Sequence, residues 1–270
     1  MGTRAPEAPE LAQAIAAAWP ADRPRLALRA LRSCGSTMDV ARAWHREGAV
    51  RAAVVALKQT AGRGRLGRRF VSPRGGLYVT AILPAPARLD LAFRLGFAAA
   101  VAARDAVRAA AGETVEFDWP NDLVGARGKV GGILSELVTG TGSRPPAVLV
   151  GVGLNAGPDP RAVEPGSAGP AAPLARAGAI DLARLAAELL AGLDALADVG
   201  EKDERWRFVL QCVEASMRRT AGEPVALRAP DGRRIAGRVA GLAWDGSLRL
   251  AGSDGRERLV RYGEVERMES

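Results

Sequence analysis

The hydrophobic positions of the chain fall into short apolar runs and two longer segments with helical periodicity. Runs of strand length, bounded by glycine, proline or charged residues, occupy residues 26–31, 53–58, 77–83, 115–117 and 147–154. The segment 123–138 is long enough for two further strands about a turn at Gly125–Gly128. Together these runs predict the strands of a sheet.

Helical spacing is clearest over residues 92–111, where large apolar side chains recur every four residues and charged ones gather on the other side. Asp181 is the expected N-cap of a second amphipathic helix. Shorter helices are expected after Ser36 and over residues 204–217. Proline and glycine between residues 157 and 173 predict a long irregular loop.

The end of the chain changes to short strands separated by three Asp-Gly pairs, which are strong signals for β-hairpins. The pairs stand at residues 231–232, 245–246 and 254–255. We therefore expect an α+β protein, with a mixed sheet flanked by helices and a small C-terminal β-barrel. The predicted division is an N-terminal arm (1–24), a main domain (25–218) and a barrel domain (219–270).

The composition is that of a globular protein, with 270 residues, 48% of them hydrophobic, and a net charge of +8. Arginine carries nearly all of the positive charge, since the only lysines are Lys58, Lys129 and Lys202. The charge alone leaves three interpretations open: a nucleic-acid binder, an enzyme with anionic substrates, or a compositional bias.

Cysteine spacing and hydropathy indicate the cellular compartment in which the protein is expected to act. Cys34 and Cys212 are far apart with no Cys-x-x-Cys spacing, which predicts neither a disulfide framework nor a zinc site, and fits a reducing cytoplasm. Residues 1–19 make a poor signal peptide, and no apolar stretch is long enough to span a membrane. We expect no resident metal, because no cluster of ligand side chains has metal-binding spacing.

The segment Gly62-Arg63-Gly64-Arg65-Leu66-Gly67-Arg68 combines three glycines with three arginines after a strand-like run. Glycine lets backbone N–H groups approach an anion, and the arginine fork matches carboxylate and phosphate. The segment matches the G-x-G-x-x-G pattern, but a strand rather than a helix follows it, which excludes a dinucleotide fold. Arginines also replace the Lys-Ser/Thr of a P-loop. An anion-binding loop and a flexible surface loop both remain open.

Two further motifs also have a structural and a functional interpretation. Ser36 and Asp39 have the spacing of a helix capping box, yet the hydroxyls of Ser36 and Thr37 could bind a polar ligand. Trp119-Pro120-Asn121-Asp122 could be a tight turn. The lysine that follows Asp122 at position 129, beside glycines, could instead reach a phosphate across a hairpin.

With these motifs in this order, the chain resembles the biotin protein ligases, also called biotin–[acetyl-CoA-carboxylase] ligases, from about Leu26 onward. The matching segments are residues 36–37, 59–68 (QTAGRGRLGR), 119–123 (WPNDL), 128–134 (GKVGGIL) and 151–155 (GVGLN). The resemblance implies the mixed sheet shared with class II aminoacyl-tRNA synthetases and biotin ligases, followed by an SH3-like barrel. It also implies that residues 25–218 are the biotin- and ATP-binding catalytic domain.

The implied reaction has two steps. Biotin and Mg-ATP give biotinyl-5′-AMP, and the biotinyl group then passes to one lysine of a biotin carboxyl carrier domain of a carboxylase. The chain would act in the cytoplasm without DNA or a membrane, and residues 1–24 are too few for a helix-turn-helix repressor domain. Monomer and homodimer remain open. A lipoate-type protein ligase and a basic nucleic-acid-binding protein without turnover are the alternatives.

The resemblance also assigns site residues. The catalytic residues would be Lys129 and Arg65, with Asp122 orienting or deprotonating the acceptor lysine. The ligand-binding residues would be Ser36, Thr37, Gln59, Arg63, Gly64, Arg65, Arg68, Phe70, Asn121, Lys129, Gly132 and Asn155. Two positions depart from the family pattern: Met38 replaces the usual Asn, and Asp118 replaces the usual Lys before Trp119.

Overall fold

The computed structural model describes residues 7–140, 144–157, 172–174, 180–229, 231–261 and 263–266. A seven-stranded mixed sheet forms its centre, in the order β1-β2-β3-β7-β6-β5-β4. The strands are β1 (Ala27–Leu31), β2 (Ala52–Ala56), β3 (Leu77–Pro84), β4 (Glu116–Asp118), β5 (Asp122–Gly125), β6 (Gly128–Val138) and β7 (Ala147–Leu154). Only β1 and β2 run parallel, and the remaining neighbours are antiparallel.

Helices cover both faces of this sheet, which explains why β2 and β7 are apolar throughout. The helices are α1 (Pro9–Ala18), α2 (Thr37–Arg46), α3 (Arg94–Ala111), α4 (Leu182–Ala195) and α5 (Asp203–Ala215). In β2, Ala53 and Val55 face the cluster that contains α3 and α4, whereas Val54 and Ala56 face α2. Helix α2 is also the crossover that parallel strands β1 and β2 require.

The predicted elements are largely confirmed. The apolar run 147–154 is a strand over the same residues, and Asp181 caps α4 by accepting hydrogen bonds from the backbone of Ala183 and Arg184. Part of the predicted N-terminal arm forms α1, whose Ile15 is fully buried. Most of the loop predicted for residues 157–173 lies outside the described residues.

Five antiparallel strands make a second sheet, in the order β11-β10-β9-β8-β12. They are β8 (Pro224–Arg228), β9 (Arg234–Leu242), β10 (Leu248–Ala251), β11 (Glu257–Val260) and β12 (Glu264–Glu266). The three Asp-Gly pairs lie in the turns between β8 and β11, and their glycines have φ of +83°, +75° and +74°. The hairpins are therefore confirmed, but the described strands pair as an open sheet, so a closed SH3-like barrel is not.

An aromatic cluster joins the two sheets. Phe93, the N-cap residue of α3, and Phe97 within α3 pack edge-on against Trp206 of α5, with ring centroids 5.5 Å apart in both pairs. Trp206 donates its indole N–H to the carbonyl of Trp244, which lies in the turn between β9 and β10. The second sheet is thereby fixed against the helices of the first.

Candidate functional site

A cavity of about 610 Å³ opens beside the start of α2 and the ends of β5, β6 and β7. Twelve of the predicted site residues line it: Ser36, Thr37, Gln59, Arg63, Gly64, Arg65, Arg68, Phe70, Asn121, Asp122, Lys129 and Gly132. These residues come from segments far apart in sequence. Asn155 does not belong to the lining; it follows β7 beside β6 and donates its backbone N–H to the carbonyl of Val130.

One side of the cavity is a directed chain of hydrogen bonds. Thr80 donates to the Thr37 hydroxyl (2.8 Å), which donates to Oε1 of Gln59 (3.1 Å), and the Gln59 amide donates to Ser72 (2.9 Å). Each donor has one acceptor, so the Gln59 carboxamide is fixed in orientation.

The predicted capping box at the start of α2 is wrong. The Ser36 side chain caps no backbone N–H, although Ser36 is the N-cap residue and only 1% exposed. Its hydroxyl is buried at the cavity and has no hydrogen-bond partner among the residues that the structure describes. A buried hydroxyl without a partner is costly, and a polar ligand atom would satisfy it.

The arginine loop is closed by its own backbone, because Gly64 donates to the carbonyl of Arg68 and Phe70 donates to that of Gly62. Its arginines point to different places. Arg63 forms ion pairs with Asp39 (2.8 Å) and, at 3.9 Å, with Glu136, whereas Arg65 donates to Oδ1 of Asn121 (3.2 Å). The loop is thus tied to both walls of the cavity.

Lys129 and Asp122 form an ion pair in the lining, with Nζ 2.7 Å from Oδ1. Asp122 is only 6% exposed. Burial raises the pKa of its carboxyl, and the charges of Lys129, Arg65 and Arg68 oppose that rise. The hairpin from β5 to β6 therefore delivers a cation and a desolvated carboxylate to one spot, as the sequence spacing predicted.

Position 153, on the floor of the cavity, is a glycine because the ring of Phe70 lies directly against it. A Cβ added at Gly153 of β7 would come within 2.5 Å of the Phe70 ring. Phe70 in turn meets Tyr78 edge-on, with centroids 6.4 Å apart. Any side chain at Gly153 would displace this ring toward the cavity.

Some features of the site escaped the sequence interpretation. Tyr78 lies inside a run that reads as an ordinary strand, and its hydroxyl donates to the carbonyl of Pro73 (2.7 Å). Gly263 also lines the cavity, although it lies between β11 and β12 of the C-terminal sheet. Asp118 is paired with Arg219, 3.3 Å away, a partner that no local pattern indicates.

His45 is a further correction. It is the only histidine of the chain, and its place beside Trp44 and Arg46 on a helix predicts a partly exposed surface residue. In the structure His45 is only 3% exposed, and its Nδ1 lies 3.0 Å from the carbonyl of Ala49. It follows Thr37 and Ala41 at intervals of four residues, and all three belong to the buried face of α2. Helical periodicity could have found it.

Two searches of the described residues bear on metals and membranes. Within the ranges that the structure describes, no three His, Cys, Asp or Glu side chains are arranged to hold a metal ion. In the same ranges, no helix has the length and apolar character needed to cross a bilayer.

The fold is similar to that of solved biotin protein ligases. The enzyme from Aquifex aeolicus in complex with biotin and ATP superposes with a TM-score of 0.73 at 24% identity, over 89% of this chain and 97% of that one. Residues 32–155 match the model of the Biotin/lipoate A/B protein ligase family.

Curated relatives of the chain include two enzymes with the same name. The biotin–[acetyl-CoA-carboxylase] ligase of Paracoccus denitrificans is 43% identical over 121 residues, which are 43% of this chain and 50% of the relative. The enzyme of the same name from Mycobacterium tuberculosis is 29% identical over 226 residues, 78% of this chain and 77% of the relative. The chain thus spans about half the length of the Paracoccus relative.

Proposed function

We propose that the protein is a biotin protein ligase that forms biotinyl-5′-AMP from biotin and ATP and transfers biotin to a lysine of a carboxyl carrier domain. The observation that carries the proposal is the convergence of the Lys129–Asp122 pair, the arginine loop and the fixed Gln59 amide on one cavity. The relatives named biotin–[acetyl-CoA-carboxylase] ligases support the substrate.

The first step must bring a carboxylate onto a phosphate although both are anions. A biotin carboxylate oxygen attacks the α-phosphorus of ATP, the new O–P bond forms, and the bond to diphosphate breaks. Lys129, Arg65 and Arg68 would offset the repulsion, since all three line the cavity. A carboxylate is already a competent nucleophile, so no histidine base is required.

Mg²⁺ would arrive with ATP as part of the substrate. Asp122 is the only carboxylate among the residues that line the described cavity, and Lys129 already pairs with it. A single engaged carboxylate is a poor site for a resident ion, whereas phosphate oxygens and water suit Mg²⁺. The ion would therefore be held mainly by the nucleotide.

In the second step the amine of the acceptor lysine attacks the biotinyl carbonyl. A C–N bond forms, AMP leaves, and the amine must lose a proton. We assign this proton to Asp122, because burial raises the pKa of its carboxyl and so makes its anion a better base than an exposed aspartate. The loop of residues 62–68 would cover the adenylate and exclude water.

Further parts of the proposal follow from the family. Ser36, Thr37 and Gln59 would hold the polar end of biotin, and Phe70, Asn121 and Gly132 would lie on the nucleotide side. Asn155 does not line the cavity and would act on that side only through its hydrogen bonds to the backbone carbonyls of Lys129 and Val130. The C-terminal sheet would form a small SH3-like barrel. The protein would act in the cytoplasm on a carboxylase carrier domain, without DNA, as a monomer or a homodimer.

The test is mass spectrometry of a biotin carrier domain after incubation with the protein, biotin and Mg-ATP. We expect one added biotinyl mass per carrier domain, and none when ATP is omitted. Because the matching family also includes lipoate ligases, a parallel reaction contains lipoate and a lipoyl carrier domain. Lipoyl transfer without biotinyl transfer would overturn the choice of substrate, and no transfer in either reaction would overturn the function.

A further inference from the structure

Two carboxylates lie side by side at the turn that carries Asp122. Asp118 at the end of β4 is the direct cross-strand partner of Asp122 at the start of β5. Cross-strand partners point to the same face of a sheet with their Cβ atoms roughly 5 Å apart. Asp118 is only 3% exposed and Asp122 6%, so two desolvated acids share one small region.

Each acid has its own cation. Asp122 meets Lys129 at 2.7 Å, whereas Asp118 meets Nε of Arg219 at 3.3 Å. Arg219 belongs to the connection between α5 and β8, outside the motifs that identify the family. The four charged side chains are therefore arranged in the order Arg219, Asp118, Asp122, Lys129. The two acids are neighbours, and each forms an ion pair with one cation.

The connection that carries Arg219 is held against β4 by backbone hydrogen bonds. Phe117 donates to the carbonyl of Ser216 (2.7 Å), and Arg218 donates back to the carbonyl of Phe117 (2.9 Å). Trp119, one residue after Asp118, donates its indole N–H to the carbonyl of Gly246 in the C-terminal sheet (3.1 Å). Arg219 thus reaches Asp118 from a fixed backbone.

We infer that Arg219 is a positioning residue for the proposed reaction: it neutralises Asp118, so that Lys129 and Asp122 remain paired with each other at the cavity. The inference rests on the proposed function and extends it to a residue that does not line the cavity. It also explains how the chain accepts an aspartate where the resemblance expects a lysine, because the missing positive charge is supplied from the C-terminal connection.

The surrounding charges decide what happens when Arg219 is removed. Asp122 faces Lys129, Arg65 and Arg68, whereas Asp118 faces Arg219, Arg218 and the like charge of Asp122. Arg218 is exposed to solvent, so its charge would compensate that of Asp118 only weakly. Without Arg219, Asp118 becomes a buried acid beside a second buried acid, and the pKa values of the pair rise together.

The deciding experiment compares the wild type with R219M, R219K, D118N and the double variant D118N/R219M in the biotinylation assay across pH. We expect R219M to lose at least about tenfold in kcat, with its pH profile displaced to higher pH. R219K should retain most activity. The double variant should recover to within about threefold of D118N, because it removes the acid together with its partner.

R249M is the matched control, since Arg249 pairs with Glu257 on the exposed surface of the C-terminal sheet, and it should match the wild type. An R219M variant with wild-type kcat and pH profile, or a double variant as impaired as R219M, would overturn the inference. If R219M does not fold, the double variant D118N/R219M provides the test: recovery of folding and activity would support the inference, and failure to recover them would overturn it. An inactive wild type would instead count against the proposed function.

Discussion

Replacing Gly153 by alanine tests whether Phe70 defines the nucleotide part of the cavity. The added Cβ would lie 2.5 Å from Cε1 and 2.8 Å from Cζ of the Phe70 ring, well inside van der Waals contact. These atoms are the far end of a half-buried side chain, so the ring can move more easily than the backbone. We therefore expect the ring to swing into the cavity and the strands to stay in place.

This geometry separates stability from activity. Overpacking costs about 1–3 kcal/mol when the structure cannot yield, and a movable ring should reduce the loss of unfolding free energy to about 1 kcal/mol or less. A ring displaced into the cavity obstructs ATP instead. An obstruction of about 1–3 kcal/mol raises the KM for ATP by roughly 5-fold to 150-fold, while the KM for biotin changes little.

The assay is diphosphate release at varied ATP and biotin, accompanied by thermal unfolding. Gly35→Ala is the control, because its Cβ would meet no atom within 4 Å. Phe70→Leu combined with Gly153→Ala should recover part of the affinity for ATP, since the smaller side chain leaves room for the new methyl group. An unchanged KM for ATP, or a rise confined to biotin, would refute the assignment of Phe70 to the nucleotide side.

The remaining predictions concern four other residues. Lys129→Met should lower the rate of adenylate formation by about 100-fold or more, measured as biotin-dependent diphosphate release, because the phosphate loses a cation and the buried Asp122 loses its ion-pair partner. Asp122→Asn should still form biotinyl-5′-AMP but transfer it slowly, and full transfer from preformed biotinyl-5′-AMP would contradict its role as the base. Arg65→Gly loses the contact with Asn121 and should release free biotinyl-5′-AMP, detected by chromatography, whereas unchanged retention would count against loop closure. Cys34 should resist alkylation by iodoacetamide in the folded protein at pH 8, because burial raises the pKa of its thiol to about 11, and rapid labelling located by peptide mass spectrometry would contradict the buried position.

Local patterns were sufficient for the elements that local forces determine. The sequence of β2 is a continuous apolar run because helices cover both faces of the sheet there. The apolar run 147–154 is a buried strand for the same reason. The Asp-Gly pairs specified hairpins because their glycines adopt positive φ. The spacing of Asp122 and Lys129 predicted their contact, since a single hairpin joins them.

The features that sequence reasoning missed depend on contacts between distant segments. Arg219 reaches Asp118 across 101 positions, and nothing near either residue indicates the other. The Ser36 hydroxyl looked like a cap because its neighbours have the capping spacing, yet it lies at the cavity without a cap bond. Tyr78 and Gly263 gain their place at the cavity only from the packing of whole sheets.

Arginine is so common in this chain that its presence carries little information, and the structure distinguishes arginines by the acids near them. Arg63 is committed to Asp39 and so anchors the loop to α2, which makes it a weaker candidate for phosphate than Arg65 or Arg68. The latter two act on the charge of Asp122 at the cavity. Arg219 acts on the neighbouring acid from outside it. Since each buried acid fixes one cation, the two carboxylates at the β4–β5 turn determine which positive charges face the ligand.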